Sequence, residues 1–185
     1  MGQYFKAVVL KPDWKTSKDT PIMWSINPHD FGDGLKMTEH AYIGNNYVAE
    51  VCRQLGGKFK GYPFVWCGDY GDNEIYEASK AFVKEHHNEL KNPTKAESVF
   101  KYIVNYDKKE YIAIPRFNPS IAKYHPLPLL CSCGNGENGG DYYIDDDDIM
   151  ENYVGRWAYD RIGLENKKPA DFTQIKVNFG SCRYR

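Results

Sequence analysis

Two loops of the sequence carry the residue types that hold metal ions. His29, Asp30 and Asp33 lie in a stretch rich in proline and glycine, and Asp69 and Asp72 follow the apolar run PFVWC. Carboxylate and imidazole groups bind Mg²⁺, Mn²⁺ or Zn²⁺, so these five residues allow a metal-dependent phosphoester hydrolase. The same aspartates also suit turns and helix N-termini. The upstream Asp-x-His and the Gly-Asn-His of metallophosphoesterases are absent from the sequence.

A run of acidic residues is the sharpest charge feature of the chain. It precedes a predicted helix, where a carboxylate gains about 0.3–1 kcal/mol from the free N–H groups. Four adjacent carboxylates exceed what a helix N-terminus requires and repel one another. Tyrosines, which protein interfaces favour, lie just before the run. The predicted partner-binding residues are therefore Tyr142, Tyr143, Asp145, Asp146, Asp147 and Asp148, with helix capping as the alternative role of the aspartates.

Other sequence motifs of catalysis are missing. No Gly-x-Ser-x-Gly elbow, Walker lysine or cysteine signature occurs, so the sequence predicts no catalytic residue and no cofactor. The glycine-rich residues 134–141 leave open a third possibility, a small-ligand sensor, which rests on composition alone.

The overall composition narrows the class of protein. The chain has 185 residues, enough for a single domain, and 24 basic against 25 acidic residues give a net charge of −1. This balance argues against strong nucleic-acid binding through a broad basic face. No apolar run approaches a membrane span and no signal-peptide core precedes the first strand. Five irregularly spaced cysteines do not form a disulfide framework, so we expect a cytoplasmic protein.

Apolar periodicity predicts an α+β domain over residues 1–185, with a mostly antiparallel sheet and about three helices. Residues 44–46 are poor helix formers and predict a bend in the first helix or a later start. A faint internal similarity suggests two pseudo-repeat halves, residues 1–95 and 96–185. The predicted strands are residues 4–10, 21–26, 63–67, 100–106, 111–114 and 174–179, and the predicted helices are residues 38–55, the segment that begins after Asp72, and residues 149–157.

Seven short motifs run along most of the chain, up to about residue 162. They are MGQYFK, HDFGDGLK, EHAYIGNN, WCGDY, YIVNYDKK, HPLPLL and GGDY. Together they resemble a group of short, uncharacterised bacterial and phage proteins, and the resemblance implies kinship with anti-CRISPR inhibitors of type II effector nucleases. It supplies no catalytic motif.

We therefore expect a non-catalytic protein that inhibits a host nucleic-acid-handling enzyme. Its partner would be a host protein or a protein–nucleic acid complex such as a CRISPR effector nuclease. The hydrolase built on the two aspartate loops remains the alternative.

Overall fold

The protein is built on one sheet, seen in a computed structural model that describes residues 2–86, 100–134, 142 and 144–181. Its strands are β1 (Phe5–Leu10), β2 (Ile22–Ser25), β3 (Tyr62–Gly68), β4 (Tyr102–Asn105), β5 (Glu110–Ala113), β6 (Ser132–Cys133), β7 (Arg161–Glu165) and β8 (Thr173–Gln174). Across the described residues they lie in the order β2-β1-β3-β7-β4-β5-β8, and β6 pairs with β3. Among these pairs only β3–β6 and β5–β8 are parallel, so the predicted α+β class with a mostly antiparallel sheet is confirmed.

The described part of the chain contains five α-helices and one 3-10 helix, more than the three predicted. The predicted first helix is divided, because Gly44 has a φ of 89° and the Asn45 side chain caps a new helix by accepting the Val48 N–H. A short additional helix follows His125, and the two prolines at the start of this helix favour it. The helices are a 3-10 turn (Pro28–Phe31), α1 (Met37–His40), α2 (Asn46–Leu55), α3 (Asn73–His86), α4 (Pro126–Leu130) and α5 (Asp147–Asn152).

Both faces of the sheet are covered near β1. Alternate residues of a strand point to opposite faces. Phe5, Ala7 and Val9 join the larger core with α2, whereas Val8 and Leu10 join a smaller core with α3. A strand that is buried on both faces usually consists of consecutive apolar residues. Lys6 is the one charged residue within β1.

Strand β7 joins the two halves of the sheet, since it pairs with β3 on one side and with β4 on the other. An antiparallel pair lies outside each strand of the β3–β7 pair: β1 and β2 lie beyond β3, and β4 and β5 lie beyond β7. However, β8 extends the second side, and among the described strands β6 pairs only with β3. The pseudo-repeat therefore stays a prediction. The sequence did not predict β7, because its apolar signal consists only of Ile162 and Leu164 around a glycine.

The last predicted elements are shorter than expected. Helix α5 ends at Asn152, so Trp157 lies beyond it in the core. Of the predicted final strand, residues 174–179, only Gln174 belongs to a strand, β8. Ile175, Val177 and Phe179 do alternate with exposed residues. In the part of the chain that is described, no helix has the length and apolarity that crossing a bilayer would demand.

Candidate functional site

Asp69 and Asp72 occupy the turn between β3 and α3, where both make structural hydrogen bonds. Asp69 Oδ1 accepts the Tyr4 N–H at 3.0 Å. Asp72 Oδ1 accepts the Ile75 N–H at 3.1 Å, which caps α3, and its Oδ2 accepts the Tyr159 hydroxyl at 2.6 Å. The capping role considered for Asp72 is therefore present.

The other predicted metal ligands belong to the loop around the 3-10 turn. The His29 side chain is exposed and Asp30 is partly buried. Asp33 Oδ2 accepts a hydrogen bond from Asn45 Nδ2 at 2.9 Å, and burial raises the pKa of the Asp33 carboxyl, although this bond opposes the rise.

All five predicted ligands lie in described segments, where no group of three or more His, Cys, Asp or Glu side chains is arranged to hold a metal ion. The structure does not gather the two loops into a metal site, and the hydrolase alternative therefore lacks supporting geometry.

The four consecutive aspartates are exposed on the surface at the start of α5. Asp146 caps the helix by accepting the Ile149 N–H at 3.2 Å, and Asp148 Oδ1 accepts Asn152 Nδ2 at 2.8 Å. Asp147 makes no ion pair or side-chain hydrogen bond with any residue in the described ranges. We call residues 145–148 the acidic segment. Capping explains one of its four carboxylates.

The two predicted contact tyrosines do not share this exposure. Tyr142 is only 5% exposed, and its ring packs edge-on against Phe5 at 6.3 Å. Its prediction as a surface contact is wrong, because Tyr142 and Ile144 are both buried and anchor the chain entering the acidic segment in the main core. Tyr143 lies outside the described residues, as do residues 135–141 of the glycine-rich loop.

The buried His40 side chain of α1 contacts Trp66 of β3 and Tyr47 of α2. His40 Nδ1 contacts the Gly34 carbonyl at 2.9 Å and Nε2 contacts the Trp66 indole nitrogen at 3.0 Å. The indole can only donate, so Nε2 is unprotonated and Nδ1–H donates to Gly34. Burial lowers the pKa of His40 to about 4. The neutral ring therefore has a structural role.

Cys52 and His125 resemble the combination of a nucleophile and a general base. Their Sγ and Nε2 atoms are 3.8 Å apart and both side chains are buried. His125 Nδ1 accepts the Leu127 N–H at 3.2 Å, so the proton of the neutral ring lies on Nε2 and faces the sulfur. In this tautomer His125 cannot remove the thiol proton of Cys52, and the pair does not form a catalytic dyad.

Lys6 is the most unusual residue of the structure. It points to the same side of β1 as Val8 and Leu10 and is only 4% exposed. Its Nζ lies 5.0 Å from the centre of the Tyr76 ring, and no hydrogen bond or ion pair joins it to another residue in the segments described. Burial, assisted by repulsion from nearby Lys80, lowers the pKa of the Lys6 ammonium from 10.5 to about 8.

A cavity of about 620 Å³ adjoins Lys6, between the start of β1 and helix α3. Three tyrosines and three charged residues besides Lys6 are among its lining residues: Tyr4, Tyr70, Tyr76, Asp69, Glu77 and Lys80. Glu77 and Lys80 form an ion pair of 2.9 Å with each other. Sequence analysis missed this arrangement, although one signal was present: a lysine at an inward position of a strand whose neighbours on that face are apolar.

Comparison with protein-family models, curated proteins and solved structures found no match to this chain. The resemblance to bacterial and phage proteins consequently stays a prediction.

Proposed function

We propose that this protein is a non-catalytic inhibitor that binds a host nucleic-acid-handling enzyme, in the first instance a type II CRISPR effector nuclease, through its acidic segment. The observation that carries the proposal is the exposure of four consecutive carboxylates of which only Asp146 caps α5. The four adjacent charges repel one another, and Asp147 and Asp148 add to the negative charge of the first turn without supplying the capping hydrogen bond to Ile149. A basic groove that normally holds a nucleic-acid backbone would neutralise them.

The anchoring of the segment supports a binding role. Tyr142 and Ile144 are buried immediately before it, and Ile149 and Met150 pack against the same core immediately after it. The carboxylates are therefore held on a short helix start that is fixed at both ends. A preformed surface loses little conformational entropy on binding.

Residues that could take part in catalysis make structural contacts in the fold. Asp69 and Asp72 hold the β3–α3 turn, and the protonated Nε2 of His125 faces Cys52. These contacts give the strongest catalytic candidates structural roles.

The test measures cleavage of target DNA by a guide-loaded type II CRISPR nuclease in the presence of the purified protein. We expect the unmodified protein to inhibit cleavage, and a variant with all four residues of the acidic segment changed from Asp to Asn to lose inhibition. Asparagine still caps helices, so α5 is retained. The variant takes the net charge from −1 to +3.

A control variant separates location from total charge. It carries Asp13→Asn, Asp19→Asn, Glu85→Gln and Asp171→Asn, four exposed positions elsewhere, and it has the same net charge as the test variant. We expect it to inhibit like the unmodified protein. Equal inhibition by both variants would remove the acidic segment from the mechanism, and no inhibition by the unmodified protein would reject this nuclease as the partner.

A further inference from the structure

A cavity of about 620 Å³ adjoins the buried amine of Lys6, and none of its lining residues belongs to the acidic segment. Lys6 is a buried amine for which no described carboxylate serves as a partner, and a buried charge is normally paired. The Tyr76 ring, whose centre lies 5.0 Å from Nζ, is the cation–π partner of the ammonium form. No ion pair with a described residue holds the amine in its charged form.

The remaining charges of the cavity do not favour an ionic ligand. Glu77 and Lys80 neutralise each other, and Asp69 accepts the Tyr4 N–H. The three tyrosines supply aromatic surface to the lining instead. Tyr4 and Tyr70 are 44% and 52% exposed, so a planar molecule could stack on them at modest conformational cost.

We propose that the cavity binds a small planar aldehyde, and that the Lys6 amine condenses with its carbonyl carbon to form a reversible imine. This inference goes beyond the inhibitory function and does not depend on it. It rests on a nearly buried amine that adjoins a cavity walled by tyrosine rings.

The condensation is balanced without an oxidant or a reductant. The lone pair of Lys6 Nζ attacks the carbonyl carbon, and a proton moves from nitrogen to oxygen to give a carbinolamine. The second proton of the nitrogen is then transferred to the hydroxyl oxygen. The C–O bond breaks, the oxygen leaves as water, and the C=N bond forms. Amine and aldehyde give imine and water.

The neutral amine is the reacting form, and the burial of Lys6 increases its population at neutral pH. Groups from every neighbouring element act on it: Lys80 of α3 lowers its pKa further, whereas Glu77 of α3, Asp30 of the 3-10 turn and Cys67 of β3 raise it. Burial is the largest of these effects, so we expect the reaction to become faster as the pH rises towards about 8.

The test uses salicylaldehyde as the planar probe, with cyclohexanecarbaldehyde as a non-planar probe of similar size. The full-length protein is incubated with each aldehyde, reduced with borohydride and mapped by peptide mass spectrometry. We expect saturable labelling of Lys6 in an excess on the order of a hundredfold over the exposed Lys15 and Lys18, because a pKa of about 8 against 10.5 raises the neutral fraction of the amine by about that factor. The excess should be smaller for the non-planar probe and should vanish in urea.

Variants locate the site. Lys6→Arg keeps the charge and should abolish the excess labelling, whereas the matched Lys84→Arg, at an exposed position of α3 outside the cavity lining, should retain it. Tyr70→Ala should raise the half-saturating concentration severalfold, and Phe117→Ala, an exposed aromatic outside the cavity, should not. Should Lys6→Arg fail to fold, the comparison of native with urea-unfolded wild type still decides. Even labelling of all lysines, or equal preference for the two aldehydes, would overturn the proposal.

Discussion

Trp66 Nε1 donates a 3.0 Å hydrogen bond to His40 Nε2, and this contact fixes the protonation state of a fully buried histidine. A ring that accepts from the indole at Nε2 and donates to Gly34 from Nδ1 has no position left for a second proton. Protonation would place two N–H groups face to face inside the core. The stability of the protein is therefore coupled to pH through this residue.

We predict that the free energy of unfolding falls as the pH drops from about 6.5 towards 4. The folded pKa of His40 is about 4 and its ordinary value is 6.5, so the unfolded chain binds the proton first and acid favours unfolding. The expected loss is about 3 kcal/mol. Urea unfolding at several pH values measures it, and His125, whose pKa burial lowers to about 3, adds in the same direction. Stability that is flat across this range would contradict the prediction.

Replacing Tyr47 by Phe should destabilise the protein by about 1–3 kcal/mol. The Tyr47 hydroxyl accepts the Ala7 N–H at 2.8 Å within the core, and its removal leaves that donor without a partner. Thermal unfolding measures the change. Tyr70→Phe, at an exposed position, is the control and should leave the melting temperature unchanged.

Replacing Lys6 by Met should stabilise the fold by about 1–3 kcal/mol at neutral pH. The folded pKa of Lys6 is about 8 against an ordinary value of 10.5. The unfolded chain therefore binds the proton first, and the free energy of unfolding decreases as the pH falls from 10.5 to 8. Methionine fills similar space without this cost. Chemical denaturation at neutral pH compares the two proteins, and a less stable Lys6→Met variant would show that the ammonium supports the fold.

Replacing Asp146 by Ala should cost about 1 kcal/mol, because the Ile149 N–H loses its acceptor. Asp146→Asn should be close to neutral, since asparagine caps equally well. Both variants are compared with the unmodified protein by circular dichroism, which gives the helical content and the melting temperature. A loss of stability in Asp147→Ala equal to that in Asp146→Ala would contradict the assignment of the cap to Asp146.

Strong local patterns allowed much of the fold to be predicted from sequence. Strand β1 and the hairpin of β4 and β5 have continuous β-forming residues, and α3 has a clear apolar stripe after its Asp72 cap. The bend or later start predicted from residues 44–46 corresponds to the division between α1 and α2 at Gly44 and Asn45. In each of these elements the local preference and the tertiary structure agree.

Elements whose stability comes from distant contacts were missed. β7 is short and contains Gly163, and its burial depends on β3 and β4, which are far from it in sequence. Tyr142 was predicted on the surface because tyrosine suits both interfaces and cores. Only its packing on Phe5, 137 positions away in sequence, decides between them.

The candidate site was less predictable still. Lys6 is an ordinary residue in composition, and its importance comes from residues of α3 and of the turn after β3 that surround it in the fold. The acidic segment was visible in sequence because its four residues are consecutive.

The central position of β7 also sets the order in which the sheet is completed during synthesis. Residues 161–165 leave the ribosome after six of the other strands, yet they occupy the seam between the two hairpins. Until they emerge, part of the β3 edge and the whole facing edge of β4 lack their antiparallel neighbour. Assembly of the two hairpins into one sheet must therefore await nearly the whole chain, and a nascent chain halted after Asp160 should expose both edges to chaperones.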